Sequence, residues 1–137
     1  MQLSNEEEDY NLSLSKFESM LKTNKVLFFD SEEFEEIILH YLDMGKANLA
    51  KKALKLGLEQ HPKSTGLKLV QVEMLVYDDK LDQAEKLLNE LYAIEPTNEE
   101  IFIQKASIYS KRDQHDKAVE FLKTALQYTE DYADVYN

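Results

Sequence analysis

Three alanines, Ala50, Ala84 and Ala118, stand 34 residues apart, and Pro62 and Pro96 keep the same step. A fixed period of that length marks a repeat architecture, in which each unit is one supersecondary element that buries its apolar face only against its neighbours. The chain of 137 residues carries only three glycines and two prolines. Such scarcity of breakers favours long helices and argues against an all-β fold.

Taken in order, the residues supply the helices. Glu6, Glu7, Glu8 and Asp9 suit a first helical turn, with Ser4 or Asn5 as its cap. Leu12, Leu14, Phe17, Met20 and Leu21 then recur at helical spacing to about Lys22. Val26, Leu27, Phe28 and Phe29 form an apolar run too short for a helix, read as a tucked connector that plugs the first groove. Asp30 and Glu33 make a capping box for a helix bearing Phe34, Ile37, Ile38 and Tyr41, which ends near Met44 and Gly45. Ala50, Leu54, Gly57 and Leu58 lie on its partner, stopped at Pro62, and His61 is pushed out of helical geometry.

A second pair carries Leu67, Val70, Met74 and Leu75, then Leu81, Ala84, Leu87, Leu88 and Leu91, with Asp78 and Asp79 at the turn. Thr97, with Glu100 three residues on, is the expected cap of the next helix, and Asp113 the cap of its partner. That partner holds Ala118, Phe121, Leu122, Ala125 and Leu126. Asp131 and Tyr132 then read as the opening of a further unit.

With Ser31, Thr65 and Glu99 as first residues, the units resemble those of the tetratricopeptide repeat family. The large fourth residue is Phe34, Lys68 and Phe102, and the aromatic eleventh is Tyr41, Leu75 and Tyr109. The twentieth is alanine in all three units, where the two helices of a unit cross closely. Departures are Lys68, the bulky Ile38 and Val72 at the usually small eighth position, and Glu130 where the third unit should have proline. The resemblance implies an all-α, right-handed α-solenoid of antiparallel helix pairs. Its segments are an N-terminal capping helix and connector (1–30), repeats at 31–64, 65–98 and 99–132, and the start of a truncated fourth repeat (133–137). A pentatricopeptide array fits less well, for want of a 35-residue period and basic faces. A ferritin-like bundle needs Glu-x-x-His pairs, and none occurs.

The resemblance also implies a groove lined by the first helix of each unit. Its residues are Glu32, Glu35, Leu39, Leu42 and Asp43, then Gly66, Leu69, Glu73, Val76 and Tyr77, then Glu100, Ile103, Ser107, Ser110 and Lys111. Family members that grip a chaperone's terminal carboxylate use Lys, Asn and Arg in this groove. The matching residues here are Glu35, Leu39, Val70, Glu100 and Gln104, so that clamp is absent. The expected partner is instead a protein or peptide with an apolar or basic segment, anchored by Leu39, Leu69, Val76, Tyr77 and Ile103 and steered by the carboxylates. The alternative is self-assembly, two copies meeting end to end through an uncovered last helix bearing Phe121, Leu122, Ala125 and Tyr128.

Charge and chemistry narrow the remaining classes. A net charge of −11 opposes a phosphate backbone or an anionic membrane surface. The densest basic stretch, Lys46, Lys51, Lys52 and Lys55, reads as a solvated helix face. The chain lacks cysteine, and His40, His61 and His115 are too scattered to share a metal or act as a common base. No Gly-rich phosphate loop or nucleophile elbow is present, so no enzyme, cofactor or metal is expected. The expected setting is cytoplasmic, since no signal-peptide pattern or long apolar run occurs.

Overall fold

The computed structural model describes residues 5–136, with side chains described from Leu12 to Thr129. These residues form seven helices and no strand: α1 (Asn5–Thr23), α2 (Ser31–Asp43), α3 (Ala47–Gln60), α4 (Thr65–Tyr77), α5 (Leu81–Ile94), α6 (Glu99–Lys111) and α7 (His115–Tyr136). The chain divides into two compact units, residues 1–67 and 68–137.

In the first unit α2 and α3 form a hairpin with α1 laid on α2. The expected capping box is present. The Glu33 N–H donates to Asp30 at 2.8 Å, and the Asp30 N–H donates back to the Glu33 carboxylate at 3.1 Å. Glu33 also accepts from Ser13, which ties the start of α2 to α1. Phe17 lies 6.3 Å from Phe29 and 6.0 Å from Tyr41 between ring centres, and Phe29 lies 5.4 Å from Phe34. Ile37, Ile38 and Ala50 are fully buried beside them. At Gly57 an added Cβ would stand 3.0 Å from the Phe34 ring, so the ring is seated in space that a side chain would take.

Two expectations for this unit need correction. Leu12 is exposed, and the polar Ser13 is buried in its place, because the inward face of α1 runs through Ser13, Phe17 and Met20. The connector is only half tucked. Phe29 is buried, but Val26 and Phe28 are 71% and 80% exposed. Its backbone explains the alternation: the Gln60 carboxamide accepts from the Phe29 N–H at 3.1 Å and donates to the Leu27 carbonyl at 2.8 Å. His61 adds a 2.6 Å contact from Nε2 to the Phe29 carbonyl, so this histidine pins the connector. The cap residue Ser4 lies outside the described residues, and Asn5 is already helical.

In the second unit one cluster joins three helices: Val72 and Val76 of α4, Ala84, Leu88 and Leu91 of α5, Ile101 and Ile108 of α6. Helix α7 packs on α6 through Tyr128 on Phe102 and Phe121 on Tyr109, with Ala118 and Ala125 buried. The end of α6 is locked to α5 by polar contacts. Tyr109 Oη donates to Glu85 at 2.6 Å, and the Arg112 guanidinium bridges Glu85 at 3.0 Å and Asp82 at 2.6 Å. The Tyr109 hydroxyl first, then Arg112, holds the Glu85 carboxyl below its ordinary range despite some burial.

Three details of this unit depart from expectation. The cap of α6 is Asn98 rather than Thr97: its side chain accepts from the Glu100 N–H at 3.0 Å, one residue short of a capping box. Helix α7 continues unbroken past residues 131–132 to Tyr136, where a new unit was expected to open. Its aromatic residues Phe121 and Tyr128 face α6, and the aliphatic residues left exposed are Val119, Leu122 and Leu126.

The turns explain why Asp113 is not a cap. Gly45, Asp79 and Asp113, again 34 residues apart, all take positive φ (72°, 61° and 61°). At each, the residue's own N–H reaches back three residues and the next N–H reaches back five, as in Lys46 to Tyr41, Lys80 to Leu75 and Gln114 to Tyr109. This is the Schellman closure of a helix, which wants a left-handed residue and prefers glycine, with Asp tolerated. Asp79→Gly and Asp113→Gly should therefore each raise unfolding free energy by roughly 0.5–1 kcal/mol in urea titrations, and Gly45→Ala should lower it by about 1 kcal/mol.

Candidate binding face

The expected groove residues divide by what surrounds them. On α2, in the first unit, Glu32, Leu39 and Asp43 are exposed, while Glu35 and Leu42 are half-buried. The Glu35 carboxylate lies over Gly66, where a Cβ would meet it. Burial first, then the charges of Glu32 and Glu36, pushes this carboxyl above its ordinary value.

On α4 and α6, in the second unit, the same class of residues forms a tighter arrangement. Gln104 of α6 is buried to 5% exposure and aims its amide nitrogen at three acceptors: Glu73 Oε1 at 3.1 Å, Glu100 Oε1 at 3.4 Å and the Leu69 carbonyl at 3.5 Å. An amide nitrogen carries two hydrogens, so three acceptors cannot all be satisfied. The two carboxylates share one amide nitrogen. Burial first, then the Glu100 charge, raises Glu73 above the ordinary carboxylate value, and the Gln104 hydrogen bond only partly offsets this. The folded chain thus holds the Glu73 proton to higher pH than the unfolded chain. The stability this gives at low pH is lost as pH rises through that raised value.

The apolar residues of this face separate more sharply. Tyr77 is 80% exposed and Ile103 is 41% exposed, so both are available to a partner. Leu69 is half-buried against the core cluster. Val76 is a core residue at 7% exposure and is withdrawn as an anchor. Ser107 and Lys111 are exposed, and Lys111 Nζ donates to the Val76 carbonyl at 3.1 Å, a cation placed on the last turn of α4. The importance of Gln104 escaped the sequence reading, since a glutamine on a predicted groove carries no mark of burial.

Nothing in the described residues gathers a metal: no group of three or more His, Asp or Glu is placed to hold an ion. His40 stacks edge-on to Tyr41, His61 holds the connector, and His115 lies on the surface 3.8 Å from Asp113. No helix among the described residues is long and apolar enough to cross a membrane.

A carboxyl-resolved NMR titration checks the electrostatics of this face. Glu73 should titrate above the ordinary carboxylate value; Glu100→Gln should lower it and Gln104→Leu should raise it further. A Glu73 that ignores both substitutions would contradict the shared-donor arrangement.

Comparison with known proteins agrees with this architecture. Residues 75–137 match the family model described as tetratricopeptide repeat. No curated protein matches the sequence. Among solved structures, the chain superposes on YrrB, described as a TPR protein with an unusual peptide-binding site, with a TM-score of 0.68 and 19% identity. That match covers 93% of this chain and 64% of the other, and at this identity it speaks for the fold alone. Residues 75–137 thus carry the tetratricopeptide repeat match, and the chain as a whole has an all-α fold of helix pairs like that of the superposed structure.

Proposed function

We propose that this chain is a non-catalytic, cytoplasmic interaction scaffold whose α4/α6 face binds a basic protein segment bearing an apolar side chain. The observation that carries the reading is the pair Glu73 and Glu100 sharing the Gln104 amide. A lysine or arginine of a partner adds donors to both carboxylates and offsets the burial and the Glu100 charge that raise Glu73. Tyr77 and Ile103 offer exposed apolar area on the same two helices. The α2 face of the first unit offers the same chemistry separately, in Glu32, Glu35, Leu39, Leu42 and Asp43. A peptide-binding site on a structural neighbour is in keeping with a peptide partner here.

A second reading, pairing of two copies through α7, has the exposed Val119, Leu122 and Leu126 in its favour. Sedimentation equilibrium tests it directly, and a strict monomer at high concentration disposes of it.

The principal reading is tested with an immobilised library of basic and acidic peptides. Captured sequences should pair Lys or Arg with a large apolar residue, and affinity should fall several-fold between about 50 and 300 mM salt. Tyr77→Ala and Glu73→Gln should each weaken capture by about tenfold, as for anchors and charge partners at an interface centre. Capture that is insensitive to salt and to both substitutions contradicts the reading.

A further inference from the structure

A second surface with the opposite chemistry lies in the first unit. The end of α1, the connector and the outward side of α3 enclose an open cleft of about 400 Å³. Its apolar lining comes from Met20, Leu21, Val26 and Leu56, and its rim carries Lys25, Lys52 and Lys55 against a single carboxylate, Glu59. Lys25, Lys52 and Lys55 are exposed, and none of them forms an ion pair among the described residues. The stretch expected to be a plain solvated helix face therefore splits, with Lys52 and Lys55 turned to an apolar floor that the connector completes.

We infer that this cleft docks a short acidic peptide segment of a protein partner, seating one large apolar side chain on the floor and its flanking carboxylates on the lysines. Charge complementarity selects this occupant. Three cations around one carboxylate leave a local positive excess on a chain whose net charge is −11. A short segment senses charges within about one Debye length, ~8–10 Å, and so feels these lysines. An extended anionic surface such as a bilayer feels the whole acidic molecule and is repelled. The cleft wall is also well held where the segment would press, because Gln60 and His61 fix the connector backbone at Leu27 and Phe29. This docking site is independent of the α4/α6 face and takes partners of the opposite charge.

The test uses a fluorescein-labelled peptide, Glu-Asp-Leu-Phe-Asp-Glu, followed by anisotropy against the whole chain. Saturable binding is expected, with a loss of about tenfold or more in the double variant Lys52→Glu/Lys55→Glu. A loss of similar size is expected when Leu and Phe of the probe become Ser. Lys52 and Lys55 are exposed, so the variant should keep the wild-type melting curve. Val26→Asp, at another exposed position, should weaken binding as well. Tyr77→Ala should leave this probe's affinity unchanged, which separates failure here from failure at the α4/α6 face. Absence of saturation up to about 1 mM, equal affinity for the double variant, or sedimentation with phosphatidylserine vesicles in place of peptide binding would each overturn the inference.

Discussion

Close approach of paired helices at a small side chain is the constraint on which the rest of this structure stands. Ala50 and Ala84 are completely buried and Ala118 nearly so. At such a crossing, the approach of two helix axes is set by the smallest side chain between them. Large buried residues accompany each such alanine: Phe34, Ile37 and Ile38 on the helix that packs on that of Ala50, and Val72, Leu88 and Ile108 in the cluster with Ala84. Glycine extends the same economy of space at Gly57, where the Phe34 ring fills what a methyl group would occupy. Apolar burial at this density, worth roughly 25 cal/mol per Å² removed from water, outweighs the weak polar contacts at the surface.

Polar groups do a different job, fixing ends and tuning faces. Asp30 and Glu33 settle where α2 begins; Arg112, Glu85 and Tyr109 settle how the end of α6 sits on α5. Gln104 is the exception, a buried amide whose nitrogen is divided between two carboxylates and a backbone carbonyl. Burial of Glu73 beside the Glu100 charge disfavours its ionised form in the free protein. That unfavourable pairing on an open face is the physical ground for reading the face as a place where a cation arrives. The lysine-rimmed cleft of the first unit follows the converse logic, with cations in excess over their counter-charges.

Much of the fold was legible in the residues because its determinants are local and periodic. The alanine step, the capping box at Asp30 and the halt before Pro62 each act within one helical turn. What escaped depends on finer or longer-range choices. Thr97 and Asn98 are both competent caps, and only the backbone path decides that Asn98 takes the role. Asp79 and Asp113 looked like ordinary turn and cap residues, because their left-handed φ is imposed by the helix closure and not by the side chain. Continuation of α7 through residues 131–132 overrode the repeat period, since nothing in Glu130-Asp131-Tyr132 breaks a helix as Pro62 and Pro96 do. Burial on the face was not legible either: Val76 fell into the core, and Gln104 is buried beside Glu73 and Glu100.

Equilibrium urea unfolding of Ala84→Leu, compared with Ala93→Leu on the exposed side of the same helix, tests the central claim most directly. The account predicts a loss of about 1–3 kcal/mol at Ala84, where the added atoms must force α5 from its neighbours. It predicts a change within about 0.5 kcal/mol at Ala93. An Ala84→Leu protein as stable as the parent would show that the helices do not need a small residue at their crossing, and would contradict it.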